Sequence, residues 1–199
     1  GALRRGAARL DPWAWRWEPA APGGGVALTP REALARLNAA GAMRAIPVGV
    51  IGPREAGDRQ LAAAEAVGSG IGRMGLVMIC GGRGGVMAAA SRGARRAGGL
   101  TVGLLPGQDW REANDDVALP IATGLSEGRN MVIAKACAVL VAIGGSYGTL
   151  TEVAYGLHFG KPVIGIEAPP AAPGLERAEG PEDALDRLAA HLLAQAVAS

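Results

Sequence analysis

Short, continuous apolar runs alternate with helix-like segments along most of this chain, and that alternation constrains the fold more than any other feature. The runs are apolar at successive positions, so we expect strands that are buried on both faces. Such strands, separated by helices, predict a mostly parallel sheet between helical layers, a three-layer, doubly wound, Rossmann-like α/β fold. The predicted strands span residues 46–51, 76–80, 100–105, 139–143 and 162–166. The predicted helices span residues 30–40, 58–74, 85–97, 126–136, 148–159 and 181–198.

Composition narrows the class of protein. Hydrophobic residues make up 49% of the 199 positions, which argues against a disordered chain, and the formal net charge of +2 does not indicate a nucleic-acid partner. No run is apolar enough for a transmembrane helix or a signal peptide, so we expect a cytoplasmic protein without a membrane partner. Cys80 and Cys137 lack metal-ligating neighbours at a useful spacing. We expect both to be reduced thiols and expect no metal site.

The first 25 residues differ from the rest. They contain Trp13, Trp15 and Trp17, whose alternation predicts one face of an extended strand, followed by a Pro/Gly-rich stretch at 19–25. We therefore predict an aromatic arm with a linker at 1–25 and a single nucleotide-binding domain at 26–199. The arm is expected either to pack on a partner subunit or to cover its own domain. Base stacking on nucleic acid is a third alternative, which the weak net charge disfavours.

The strongest candidate site is the turn IGGSYGTLTE at 143–152, which follows a predicted strand and opens a helix. Backbone N–H groups at a helix start, next to glycines that permit close approach, favour phosphate binding. Glu152 follows in the first turn of that helix. The alternative is a tight strand-to-helix turn in which Glu152 only caps the helix. The predicted phosphate-binding residues are Gly145, Ser146, Tyr147, Gly148 and Thr149.

Two further turns carry weaker signals. The turn CGGRGGVM at 80–87 is neither a P-loop nor a dinucleotide fingerprint, and close helix–strand packing would explain some of its glycines. The stretch GLSEGRN at 124–130 places Arg129 at a helix start, where it pairs with a carboxylate, binds phosphate or is a solvated surface side chain. The ligand contacts predicted outside the first turn are Gly52, Gly82, Arg83, Gly84 and Gly85.

These three turns, in this order, resemble the family once mislabelled lysine decarboxylases. That family includes the LONELY GUY-type cytokinin-activating phosphoribohydrolases and a branch of molybdenum cofactor carrier proteins with bacterial relatives. Its signature PGGxGTxxE corresponds to GGSYGTLTE here, and the resemblance covers roughly residues 47–167. It implies that Arg129 and Glu152 occupy the positions of the family's catalytic arginine and glutamate.

The departures from the signature favour the carrier branch. Asn130 replaces the lysine of the phosphoribohydrolases, and Thr151 replaces the first glutamate of their GGxGTxEE form. Asn130, and Gly144 in place of the signature proline, are what the carrier branch tends to show. Ser146 departs from both branches. A serine there is either strained at a positive φ or adopts an ordinary conformation and offers a hydroxyl.

The resemblance implies two alternative functions, and the aromatic arm with the glycine-rich domain allows a third. A carrier would bind a phosphate-bearing small molecule, the molybdenum cofactor, without turnover and with no other tightly bound cofactor. A phosphoribohydrolase would cleave the N-glycosidic bond of a nucleoside 5′-monophosphate and release ribose 5-phosphate. An interaction subunit would retain only a vestigial pocket. The resemblance also implies a homo-oligomer, either a dimer or a tetramer.

Overall fold

The structure is a computed structural model and describes residues 2–21 and 23–198. The strands in this part of the chain are β1 (Arg4–Arg5), β2 (Ala8–Asp11), β3 (Arg16–Pro19), β4 (Pro47–Ile51), β5 (Val77–Cys80), β6 (Thr101–Leu105), β7 (Leu119–Ala122), β8 (Leu140–Ile143), β9 (Val163–Ile166), β10 (Glu176–Arg177) and β11 (Val197–Ala198). The helices are α1 (Pro30–Ala39), α2 (Asp58–Arg73), α3 (Val86–Arg96), α4 (Arg129–Ala136), α5 (Tyr147–His158) and α6 (Pro181–Ala194).

The main sheet has the order β10-β9-β8-β4-β5-β6-β7, and every neighbouring pair in it is parallel. From β4 the chain moves outward through β5, β6 and β7, and then returns to the other side of β4 to build β8, β9 and β10. Neighbours β4 and β8 therefore lead into connections that diverge. Doubly wound sheets bind ligands at such a switch point. The predicted fold class is confirmed.

Two apolar clusters cover the two faces of this sheet. One contains Val50 together with residues of α2, α3 and α6, and the other contains Ile51 together with residues of α4 and α5. Because consecutive strand residues are buried on opposite faces, the strands are apolar throughout. Cys80 and Cys137 are free thiols buried within the two clusters. No helix in the described part of the chain is long and apolar enough to cross a membrane.

Each of the five predicted strands is observed, beginning one residue later than predicted and ending at the predicted residue. The edge strands β7 and β10 were not predicted. β7 contains Pro120, which an edge strand tolerates because its outer N–H positions need no partner. β10 is only two residues long. The prediction was therefore accurate for the apolar strands at the centre of the sheet and missed the two short strands at its edges.

Helix boundaries follow local hydrogen bonding. Before α1, Thr29 Oγ1 accepts from the Glu32 N–H at 3.3 Å, and Glu32 Oε2 accepts from the Thr29 N–H at 2.8 Å. This reciprocal pair of hydrogen bonds is a capping box, which fixes the start of the helix. The prediction that the last helix reaches residue 198 is wrong, because α6 ends at Ala194. The chain then buries Ala196 beside the N-terminal strands and forms β11.

The N-terminal strands belong to a second, smaller sheet with the order β1-β2-β3-β11. The pairs β1–β2 and β2–β3 are antiparallel, whereas β3 and β11 are parallel. Trp17 in β3 is buried in a cluster with Leu10, Leu37 and Ala196. The Trp15 indole N–H donates to the Leu192 carbonyl of α6 at 2.8 Å. These two tryptophans therefore cover their own domain, whereas the domain division at residue 25 stays a prediction.

The prediction that all three tryptophans line one face of a strand is wrong. Residues 12–15 form a turn between β2 and β3, and Trp15 has a φ of 54°. Asp11 holds this turn, since its Oδ1 accepts from the N–H groups of Trp13 and Ala14 at 2.8 and 3.0 Å. Trp13 is 60% exposed and lies under the guanidinium of Arg44.

Candidate functional site

A cavity of about 640 Å³ lies at the carboxyl edge of the main sheet, at the ends of the neighbouring strands β4 and β8. Its walls come from the loop after β4, the start of α4 and the turn that leads from β8 into α5. Parallel strands end at a common edge, so segments that are distant in the chain meet here. The cavity therefore occupies the switch point of the sheet.

A buried ion pair forms one wall of this cavity. Arg129 begins α4 and donates through Nη1 to Glu152 Oε1 of α5 at 3.2 Å, and the two residues are only 9% and 6% exposed. Burial raises the pKa of Glu152 to about 7, against the opposing charge of Arg129. Burial likewise lowers the pKa of Arg129. The Glu152 carboxyl can therefore gain or lose a proton near neutral pH.

The Arg129 guanidinium crosses the chain at Gly81, directly after β5. A Cβ at Gly81 would lie 2.6 Å from Arg129 Nη2, so a larger residue there would displace the guanidinium from its present position. Arg129 Nε is buried and has no hydrogen-bond partner among the described residues. A ligand in the cavity could supply that acceptor.

Ser146 caps α5 in an ordinary conformation. Its φ of −145° is extended, so the backbone is unstrained, and the second alternative for this residue is the one observed. Its Oγ accepts from the Thr149 N–H at 3.3 Å and lies 3.1 Å from Thr149 Oγ1. Tyr147 and Gly148 are the first two residues of α5, where helix geometry leaves the N–H groups without a partner inside the helix.

A polar bridge joins α4 to α5 beside the cavity. Asn130 Nδ2 donates to Thr151 Oγ1 at 2.9 Å, and that hydroxyl donates to the Gly148 carbonyl at 2.7 Å. Asn130 and Thr151 are two of the positions at which the chain departs from the phosphoribohydrolases. These two positions are therefore in contact. A neutral amide meets a hydroxyl where the phosphoribohydrolases have lysine and glutamate.

The residues predicted to bind or act on a ligand divide into two groups. Those in the wall of the cavity are Gly52, Arg129, Gly145, Ser146, Gly148, Thr149 and Glu152. Those outside it are Gly82, Arg83, Gly84, Gly85 and Tyr147. The Tyr147 side chain is instead 91% exposed to solvent.

The second glycine-rich turn packs against its own chain. Gly85 has a φ of +65°, and a Cβ there would collide with the carbonyl oxygen of Arg54. The Arg83 guanidinium pairs with Glu112, and its carbonyl accepts from Asn114 Nδ2 at 2.9 Å. Close packing, the alternative interpretation of these glycines, therefore describes Gly85.

Several residues of the cavity wall were not predicted. Three of them, Pro53, Arg54 and Glu55, directly follow β4, and the carboxyl end of a strand was the signal that could have found them. Gly81 and Met87 belong to the turn at 80–87, in which other residues were predicted as ligand contacts. The unpredicted residues are Ile51, Pro53, Arg54, Glu55, Gly81, Met87, Pro106, Glu127 and Asn130.

The charged groups of the wall are mixed. Two arginines, Arg54 and Arg129, face three carboxyl groups, those of Glu55, Glu127 and Glu152. Within residues 2–21 and 23–198, no group of three or more histidine, cysteine, aspartate or glutamate side chains is placed to hold a metal ion. Fixed polar groups of both signs in one concave site suit an organic ligand that carries both an anion and N–H donors.

Residues 45–191 match the SLOG cluster4 family. An uncharacterized protein of Archaeoglobus fulgidus is 38% identical over 144 residues, which cover 72% of this chain and 95% of that protein. The molybdenum cofactor binding protein of Rippkaea orientalis has a similar structure, with a TM-score of 0.70 and 34% identity, over 74% of this chain and 98% of its own.

The Moco carrier protein of Chlamydomonas reinhardtii is also similar in structure, with a TM-score of 0.69 and 36% identity. That match covers 76% of this chain and 99% of the algal chain. These likenesses confirm the resemblance to the carrier branch that the three turns indicated. Because the family match spans most of the sequence, this chain belongs to the SLOG cluster4 family.

Proposed function

We propose that this chain binds a phosphate-bearing, nucleotide-like small molecule and carries it without turnover, in the manner of a molybdenum cofactor carrier. The observation on which the proposal rests is the cavity at the switch point, bordered by the start of α5 and by the Arg129–Glu152 pair. Two proteins that are similar over three quarters of the chain are described as molybdenum cofactor binding and carrier proteins, which supports the same ligand class.

The residues present fit such a ligand. A volume of about 640 Å³ is within the range of small-molecule sites, about 300–1,000 Å³. The N–H groups of Tyr147 and Gly148 begin a helix of 12 residues, and the positive end of its dipole favours a phosphate. The buried Arg129 Nε adds a donor that has no acceptor among the described residues.

A carrier needs a rigid site that shields its cargo from water and moves no proton. The bridge from Asn130 to Thr151 holds α4 against α5, and the Arg129–Glu152 pair closes the wall between them. In this role Glu152 fixes the orientation of Arg129. A neutral amide of the same shape would keep an acceptor for the guanidinium.

The test is binding by the purified protein. We expect molybdenum cofactor to copurify or to bind when it is added, detected by the fluorescence of the oxidised pterin and by molybdenum content. Glu152→Gln should retain this binding within about threefold, and Glu112→Gln, at an exposed pair beside the other turn, is the matched control. Loss of binding in Glu152→Gln, together with nucleotide hydrolysis by the wild type, would contradict the proposal.

A second candidate function is hydrolysis of a nucleoside 5′-monophosphate, which the pKa of Glu152 near 7 favours. In its ionised form Glu152 would accept a proton from the water that attacks the ribose C1′. The N-glycosidic bond would break, the base would leave with a proton, and ribose 5-phosphate would remain. Arg129 would position Glu152 for this step.

Incubation with a panel of nucleoside 5′-monophosphates tests this candidate. Hydrolysis predicts a free base that is lost in Glu152→Gln and kept in Glu112→Gln. Because Glu152 must be ionised, the rate should rise with pH toward a plateau above about pH 7. If folded wild-type protein releases no base from any nucleotide of the panel, the candidate fails.

A further inference from the structure

We infer that Arg54 is the cation that holds the phosphate of the ligand, which enters as a monoester dianion between the loop after β4 and the start of α5. This inference rests on the proposed function and names the residue and the charge state that the site recognises. Arg54 is absent from the sequence-based candidates.

Arg54 differs from the other arginine of the cavity wall in having no partner. Arg129 is engaged by Glu152 at 3.2 Å. Arg54 is exposed at the cavity, and its guanidinium forms no hydrogen bond or ion pair with any residue that the structure describes. An arginine that is free on the wall of a concave site is a ready bidentate partner for a phosphate.

The topology brings Arg54 opposite the start of α5. The loop at 52–55 leaves β4, the turn at 144–146 leaves β8, and these two strands are neighbours about 4.8 Å apart. Arg54, Gly148 and Thr149 all belong to the wall of the same cavity. A phosphate at the helix start is therefore within reach of a long side chain from the adjacent loop.

The backbone that carries Arg54 is held in place from the other side. The Pro53 carbonyl accepts from the Val86 N–H at 3.1 Å. Gly85 lies so close to the Arg54 carbonyl that no Cβ would fit between them. The second glycine-rich turn therefore serves the ligand indirectly, by supporting the loop that carries the cation.

The N–H groups of Tyr147 and Gly148 at the start of α5 carry no net positive charge to balance a dianion. Ser146 Oγ already takes the Thr149 N–H, and the Thr149 hydroxyl lies against the same oxygen. Glu55 and Glu127 add negative charge to the wall. Without Arg54, three carboxyl groups would face a single arginine that is itself paired.

Arg54 and the buried pair line the same cavity, so their charges act on each other. Burial is the main reason that the pKa of Arg129 is lowered, and the charge of Arg54 acts in the same direction. The positive charges of the two guanidinium groups therefore repel each other. Bound phosphate would relieve this repulsion, a gain that an uncharged ligand could not provide.

The test separates the phosphate from the rest of the ligand. The probes are the oxidised pterin phosphate released from molybdenum cofactor and AMP, each with its phosphatase-treated counterpart. The variants are Arg54→Gln and the control Arg59→Gln, whose side chain is 87% exposed outside the cavity and lies 3.6 Å from Glu167. Dissociation constants are measured by fluorescence or calorimetry at one fixed salt concentration.

We expect Arg54→Gln to weaken binding of the phosphorylated probe about 10- to 100-fold, the range of a charged hydrogen-bonded contact. Binding of the dephosphorylated probe should change less than about twofold, and Arg59→Gln should match the wild type with both. Arg54→Lys, which keeps the charge but loses the fork, should fall between the two.

Three results would overturn the inference. Equal weakening of both forms of a probe would show that Arg54 acts on the fold of the site. Unchanged binding in Arg54→Gln would refute the inference and leave the proposed function standing. If the wild type binds no phosphorylated probe more tightly than its dephosphorylated form, the inference and the phosphate-binding part of the proposed function fail together.

Discussion

The two glycine-rich turns of this molecule are alike in sequence, but the glycine that precedes α3 and the glycine near the start of α5 have different surroundings. Residues 81–85 join β5 to α3, residues 144–148 include the turn from β8 into α5, and each turn follows a parallel strand. At the first, protein fills the space beside the glycine, because Gly85 abuts the Arg54 carbonyl. At the second, Gly145 and Gly148 border an open cavity. Glycine lets another group come close to the backbone. At Gly85 that group is the neighbouring loop of the protein, whereas beside Gly148 the space is open to a ligand.

The largest difference in the free energy of unfolding is expected between alanine substitutions at Gly85 and at Gly148. Gly85→Ala should lower the free energy of unfolding by about 3 kcal/mol, because a positive φ and a backbone collision combine there. Gly148→Ala has neighbours no closer than 3.7 Å and should change it by less than about 0.5 kcal/mol. Denaturant unfolding measures both. Equal changes in the free energy of unfolding would mean that Gly85 and Gly148 are packed alike.

The free energy of unfolding should depend on pH because Glu152, in the buried pair with Arg129, has a raised pKa. Folded protein keeps the Glu152 proton up to about pH 7, whereas an unfolded chain releases it near pH 4.3. The unfolded state therefore binds fewer protons between these values, and the stability from this group falls as pH rises through that window. Relative to Glu152→Gln, the wild type should lose about 2–3 kcal/mol from pH 4.5 to 7.5. Parallel profiles in denaturant unfolding would contradict the raised pKa.

The two turns also differ in the residue that caps the following helix. Ser146→Ala removes the side-chain acceptor for the Thr149 N–H and should lower the free energy of unfolding by about 1 kcal/mol. Gly85, at the equivalent position before α3, has no side chain to lose. Ser146→Thr, which can still cap, is the matched control. A neutral Ser146→Ala would mean that the hydroxyl does not cap the helix.

The smallest effect is expected at the ion pair beside the packed turn. Arg83 and Glu112 are partly exposed, so Arg83→Gln should lower the free energy of unfolding by less than about 1 kcal/mol. Because Arg83 lies outside the cavity wall, ligand affinity should stay within about twofold of the wild type. A larger loss of affinity in a calorimetric titration would mean that Arg83 contacts the ligand, as the sequence predicted.

The centre of the fold was predictable because its signals are local and strong. The strands from β4 to β9 that lie inside the sheet are continuous apolar runs, and Thr29 with Glu32 announces α1. The edges were not predictable in the same way. β7 mixes Pro120 with exposed Leu119 and Ile121, so its apolar content does not mark a buried strand.

The candidate site was predictable only in part, for a geometric reason. The turn at 145–149 and Glu152 are adjacent in sequence, and a shared motif identified them together with Arg129. Arg54 comes from another strand, and only the order of the sheet brings it to the same cavity. The strand predicted for the three tryptophans was wrong because their period-two spacing is typical of a strand, whereas Asp11 at the end of β2 and Pro12 after it favour a turn.

The pairing of β3 with β11 sets an order of events during synthesis. Arg16 and Val197 are partners, yet about 180 residues separate them in the chain. At roughly 5–20 residues per second, the first strand waits about 10–40 s for its neighbour to be made. The edge of β3 that pairs with β11 stays open throughout that interval, and the loop that must close is about 180 residues long. The small sheet therefore cannot be completed until residues 197–198 have been made.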